Sequence, residues 1–390
     1  VESSYDNDLA ARVYGRTAVI YDSHLGDRTK AIDAWRKVTS VRDEDVAAWQ
    51  SLERLLAAEG RAAELVVVLE KRFTLSHDLE EQKGLLYRAA QLYEGDLAQA
   101  DKAIAAWRQV LGLDERDSTA LEALGRLYEG REAWRDLCWV YTQQIDLAKS
   151  ETARRPLRFA MARVYDEKLG DTSEAMGAYK SAIDANPRDI EAIAALSKLY
   201  EREGQWADHL ETVDQLANLK EDTADGPERM QMRLRAAQVT EEKLGEIEAA
   251  IRRYQEIIEG EIAAEPDVAD WMSAAQVELS MQFNAGRLRI AQIQNEARQA
   301  LERLVLVPET RDAAAAVLEP LYRREQQWKP LIDLLELRLS GEADTGERRR
   351  LLSQIAGLCE SGLRDLTQAF ATWGRVLAED AQDSEAVTEL

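Results

Sequence analysis

Ala178–Trp206 reads AYKSAIDANPRDIEAIAALSKLYEREGQW. Small and large apolar residues (Ala178, Tyr179, Ala182) end one helix, and Asn186-Pro187-Arg188-Asp189 supplies a turn with a capping aspartate. Ile193, Leu196 and Tyr200 then recur at helical spacing until Glu203-Gly204-Gln205 breaks the pattern. The stretch is a helix–turn–helix joint, and variants of it fill the chain.

The variants keep a measurable period. AIDAWRKV, AIAAWRQV and AMGAYKSA place Trp35, Trp107 and Tyr179 at intervals of 72, and AIRRYQEI adds Tyr254 after 75. Helix ends reading IYD, LYE and VYD set Tyr21, Tyr93 and Tyr165 72 apart, and Leu56, Tyr128 and Tyr200 form a third series with the same step. Three markers agreeing on one period define a repeat, each 72-residue unit holding two hairpins of about 36 residues. Helix formers dominate and no run of alternating β-branched residues occurs, so the expected fold is all-α. A solenoid has no single core, which makes 390 residues compatible with one continuous array.

Cap chemistry marks the joints. Ser118 behind Asp117, Asp171-Thr172 and Asp189 are expected caps. Gly26, Gly60, Gly170 and Gly204 fall where a helix must reverse. Pro330 fits the first turn of its helix. Pro320, inside AAAAVLEPLYRREQQW, predicts a kink in a helix from about Ala313 to Arg324.

The period lapses once. After Tyr254 the next equivalent position falls near Glu302, 48 residues on, and Tyr200 to Tyr322 spans 122. Three segments follow: a regular array over 1–258, an irregular or shortened repeat over 259–311, and C-terminal repeats over 312–390. The irregular part fits one long hairpin with a loop at Asn284-Ala285-Gly286, or a junction lacking residues. The start at Val1 and the stop within Ala386–Leu390 have the look of a trimmed fragment.

Composition narrows function by exclusion. With 73 acidic against 50 basic residues, the net charge of −23 disfavours nucleic acid and anionic membranes and suits a basic protein or peptide. Cys138 and Cys359 occupy apolar helical positions, too few for a disulfide framework or a zinc site, and are expected to be buried thiols. No stretch approaches the 18 apolar residues of a membrane span. His24, His77 and His209 share no metal or triad spacing, and P-loop, dinucleotide-binding, HExxH and GxSxG patterns are missing. No catalytic residue, metal or cofactor is expected. Arg348-Arg349-Arg350 is the compact basic run, read as a solvated helix face. A cytoplasmic location is favoured over a periplasmic one, and the Ala-, Arg-, Leu- and Asp-rich composition suggests a GC-rich bacterial source.

The hairpin from Asp189 resembles the tetratricopeptide repeat, in which a large residue, Leu-Gly/Ala/Ser and Tyr mark the first helix and small-large-small the second. Ile193, Leu196, Ser197 and Tyr200 fit the first helix, and Ala178, Tyr179, Ala182 and Pro187 the preceding second helix. Leu124, Gly125 and Tyr128 match again, as do Ala89, Ala90 and Tyr93. The resemblance covers 12–260 and 312–380 and departs from the family in unit length, about 36 instead of 34, and in the scarcity of the terminal proline. It implies an α-solenoid, a right-handed superhelix of about ten hairpins, working as a non-enzymatic scaffold in a larger assembly. Alternatives are a recruiting arm of an enzyme whose catalytic domain lies outside the chain, and an RNA-processing scaffold of the related hairpin type. In the family, ligands lie along the first helices. Carried over, this implies a groove of Arg126 and Glu129; Arg163, Asp166 and Glu167; Lys198, Glu201 and Arg202; and Arg323 with Arg324.

Overall fold

The computed structural model describes residues 2–219, 226–260 and 274–389, and among these the chain forms 20 helices and no strand. Contacts divide it into two units, Val1–Ala185 and Asn186–Leu390. Unit 1 contains α1 (Glu2–Val19), α2 (Arg28–Val41), α3 (Val46–Ala58), α4 (Ala62–Leu75), α5 (Leu79–Glu94), α6 (Ala100–Leu113), α7 (Ser118–Gly130), α8 (Trp134–Leu147), α9 (Glu151–Arg163) and α10 (Thr172–Ala185). Unit 2 contains α11 (Ile190–Glu203), α12 (Trp206–Leu219), α13 (Gly226–Val239), α14 (Ile247–Glu259), α15 (Ala274–Val305), α16 (Arg311–Arg324), α17 (Trp328–Gly341), α18 (Thr345–Leu358), α19 (Leu366–Glu379) and α20 (Ser384–Glu389). Within each unit successive helices pack on one another, so each is an all-α solenoid-type array.

The hairpins alternate between two turn chemistries. In four of five wide turns the first helix loosens into a π-type last turn, at Ile20–His24, Val164–Leu169, Thr240–Leu244 and Cys359–Leu363. A backbone N–H then reaches back six residues: Asp27 to Tyr21 (2.9 Å), Gln99 to Tyr93 (2.8 Å), Asp171 to Tyr165 (2.8 Å), Glu246 to Thr240 (3.0 Å) and Asp365 to Cys359 (2.9 Å). In the tight form it reaches back five: Arg61 to Leu56 (3.0 Å), and Ala133 to Tyr128, Gln205 to Tyr200 and Gln327 to Tyr322, each 2.9 Å. Each turn holds one residue in the left-handed region. Gly26, Ala98, Gly170, Gly245 and Arg364 do so in wide turns, and Gly60, Glu132, Gly204 and Gln326 in tight ones. The tyrosine series read from the sequence therefore marks the acceptor carbonyls of these reversals.

The core is the small-large interleaving expected. Trp107, Tyr128, Tyr254 and Trp373 are buried among alanines and leucines that let the helices approach. Tyr87 meets Trp107 edge-on at 5.0 Å, and Phe159 meets Tyr179 at 5.3 Å. The second helix of three tight hairpins opens on a tryptophan that covers the next wide turn. Lys168 sits over Trp134 at 5.3 Å and Lys243 over Trp206 at 5.1 Å, while Trp328 lies so close to Gly362 that a Cβ there would fall 2.8 Å from its Cγ. Cys138 and Cys359 are buried and unpaired.

Several sequence expectations change. Asp117, not Ser118, caps α7, accepting from Ala120 N–H at 2.9 Å. Asn284-Ala285-Gly286 form no loop and lie inside α15, whose 32 residues run unbroken. Gly286 lies at the crossing with α13, where an added Cβ would meet Pro227 at 3.3 Å; smallness there serves a close approach, not a reversal. The described part of the irregular segment is mostly this one long helix, packed on α13, α14 and α16, with Glu302 in the place held elsewhere by Arg36 and Arg108. Residues 261–273 of that segment lie outside the described residues. Helix α16 continues through Pro320, as α9 does through Pro156; both prolines are exposed, so water can satisfy the carbonyl each leaves unbonded.

Candidate protein-binding faces

Successive first helices are tied by charges one hairpin apart. Asp22 at the end of α1 pairs with Arg54 on α3, and Glu53 on α3 accepts from Arg88 on α5. Glu94 on α5 meets Arg126 on α7 at 3.3 Å, and Glu201 on α11 meets Arg235 on α13 at 2.5 Å. Glu53 differs from the other rungs, since its side chain is 8% exposed and also holds Arg72. The exposed rungs are worth a few tenths of a kcal/mol to about 1 kcal/mol each, while a buried pair is costly to break.

The ladder changes the reading of the groove residues. Arg126 and Glu201 are rungs within the array. Arg323 pairs with Glu319 one turn back at 2.9 Å, and Arg202 lies 3.7 Å from Glu203. Glu129, Arg163, Glu167, Lys198 and Arg324 are exposed, and Asp166 is half-buried. The sequence reading missed Asp22, Glu53, Arg54, Arg88, Glu94 and Arg235. Their signal was opposite charge separated by one hairpin length.

The three histidines lie in separate surroundings, and each arginine of the basic run has an acidic neighbour. His209 is buried, its Nδ1 2.9 Å from the Ser197 carbonyl, whereas His24 and His77 are exposed. Among the described residues no cluster of His, Cys, Asp or Glu could hold a metal. Arg348 meets Glu379 at 2.9 Å, Arg349 pairs with Asp380 and Arg350 lies 3.3 Å from Glu347, so the run is neutralised by its neighbours. No helix among the described residues is long and apolar enough to cross a membrane.

A second feature opens on the side of the second helices. A pocket of about 440 Å³ lies between α2, α3 and α4, walled by Thr39, Trp49, Leu52 and Leu56, with Arg36 and Glu64 paired at its mouth. One unit later Arg108 donates from Nε to the Tyr128 hydroxyl at 2.6 Å and holds Asp136 at 3.0 Å. Burial pushes the Tyr128 phenol up against the opposing pull of Arg108, keeping it neutral.

Residues 157–189, spanning α9 and α10 to Asp189, match the tetratricopeptide repeat family. That stretch is similar to one tetratricopeptide repeat, and the helices on either side of it form further helix–turn–helix hairpins. No curated protein matches the sequence. Among solved structures, the chain is similar to YrrB, a TPR protein with an unusual peptide-binding site, at 15% identity over 47% of this chain and 89% of that one, with a TM-score of 0.28. It is similar to Naa15/Naa10 bound to HypK-THB at 15% identity over 97% of this chain and 60% of that one, TM-score 0.35. A tetratricopeptide repeat protein from Parabacteroides merdae is 14% identical over 72% of this chain and 99% of its own length, TM-score 0.28.

Proposed function

We propose that the chain is a non-enzymatic scaffold that binds other proteins or peptides along its first helices, within a larger assembly. The observation that carries this reading is the repeated hairpin itself, with charged residues such as Glu129, Arg163, Glu167, Lys198 and Arg324 exposed beside the ladder. An array of this kind offers an extended surface and few enclosed pockets in which a pKa could be tuned for catalysis. The net charge of −23 favours a basic partner segment, which long-range attraction would steer toward the array.

The test is affinity capture with mass spectrometry on the wild type and on Lys198→Glu/Arg202→Glu. Loss of specific partners in a folded variant supports the first-helix face. Unchanged capture rejects that face and moves binding to the second helices.

A further inference from the structure

The pocket between α2 and α4 sits where the repeat departs from its own pattern. At the position of Leu56 the other tight hairpins carry Tyr128, Tyr200 and Tyr322. At the position of Thr39 the matching residues are Leu111, Ile183 and Val305. Leu56 lacks the phenol of its counterparts and Thr39 is shorter than Leu111 and Ile183, and a pocket of about 440 Å³ stands there. The polar partner of the phenol is still present. Arg108 donates to the Tyr128 hydroxyl at 2.6 Å, and Tyr322 donates to Glu302 at 2.7 Å. The residue in that place beside Leu56 is Arg36.

We propose that this pocket binds a tyrosine side chain of a partner polypeptide, its ring between Trp49 and Leu56 and its hydroxyl against Arg36. This names the partner chemistry and rests on the scaffold reading, though it places the contact on the second-helix side. The occupant follows from the chain's own repeats, in which a phenol fills the equivalent joint and meets a charged group. The mouth suits entry from outside, since Arg36, Ser40 and Val67 are exposed. Its size falls within the range of ligand pockets, about 300–1,000 Å³. A phenylalanine would fill the same space without the hydrogen bond, a difference of about three- to tenfold in affinity.

N-acetyltyrosinamide and N-acetylphenylalaninamide, titrated separately, test this by the indole N–H resonance of Trp49, assigned with Trp49→Phe. The tyrosine amide should shift that resonance and bind at least threefold more tightly than the phenylalanine amide. Leu56→Tyr, which restores the pattern of the other units, should fold with an equal or higher melting temperature and abolish the response. Thr39→Leu should weaken it, and this smaller change guards against a misfolded Leu56→Tyr. No shift in the wild type, equal affinity for the two amides, or an undiminished response in both variants overturns the proposal. Because the probes need no partner protein, such a failure leaves the capture experiment to decide the scaffold reading.

Discussion

Lys83 on α5 reaches forward to Asp117, the cap of α7, at 2.6 Å, and touches Asp114 at 2.7 Å on the way. Tyr87 donates to the same Asp117 carboxylate, and so does the Ala120 N–H. One nearly buried carboxylate therefore caps a helix and ties two hairpins together. Replacing it with alanine should cost about 2–3 kcal/mol, combining a lost cap with the loss of the buried acceptor that Tyr87 and Lys83 share, Lys83 keeping only Asp114. Urea denaturation of Asp117→Ala measures this, and a loss below 1 kcal/mol would mean the network is redundant.

The same group sets an acid limit. Burial works against ionisation of Asp117, but Lys83, Tyr87 and the Ala120 N–H overcome it and hold the carboxyl below its ordinary 3.8. A depressed carboxyl contributes stability that is complete above its unfolded value and lost as pH falls through the folded one. Between about pH 5 and pH 2 the wild type should lose more stability than Asp117→Asn. Parallel curves would show that the carboxyl is not the cause.

Turn strain predicts gains. Glu132 and Gln326 sit at φ of 56°, where Gly60 and Gly204 stand in the sister turns. A side chain in this region costs about 1–2 kcal/mol, partly offset by the unfolded-state entropy of glycine. Glu132→Gly and Gln326→Gly should each stabilise by about 0.5–1 kcal/mol, and Gly204→Ala should destabilise. Shifts of the urea midpoint at constant slope would establish this; destabilised glycine variants would contradict it.

The rungs should be unequal. Glu53→Ala leaves Arg72, whose side chain is 11% exposed, without one of its carboxylates, and is expected to cost about 3 kcal/mol. Arg126→Ala breaks a pair in which the arginine is 64% exposed and should cost less than about 1 kcal/mol. A double-mutant cycle on each pair checks the ordering.

The thiols should be silent in the folded chain. Burial pushes Cys138 up to about 11, with a weaker opposing hydrogen bond from Tyr165, and burial also raises Cys359. A chromogenic disulfide reagent at pH 8 should label neither until urea unfolds the chain, and then both. Rapid native labelling would contradict the buried placement.

Helix-former composition determined the all-α class, and periodicity the repeat and the alternation of two hairpins, because packing one helix on the next demands the same small and large residues every 72 positions. Most stop signals were equally legible, since Gly26, Gly60, Gly170 and Gly204 all occupy the left-handed region they were assigned. Glu132 and Gln326 were not, because tertiary packing can impose that backbone on a residue that does not favour it. The groove residues show the same boundary. Spacing could place Arg126 and Glu201 on a first helix, but their partners Glu94 and Arg235 belong to neighbouring hairpins, and charge pairing between helices follows from their stacking. The tyrosine series was visible from the start, yet Leu56 looked like one more apolar residue in it. Only the folded joint, where Arg108 meets the Tyr128 hydroxyl and Arg36 faces Leu56 across a pocket, decided that this substitution matters. A missing side chain leaves no mark on hydrophobic periodicity, but in a close-packed interior it leaves a space with a definite shape and polarity.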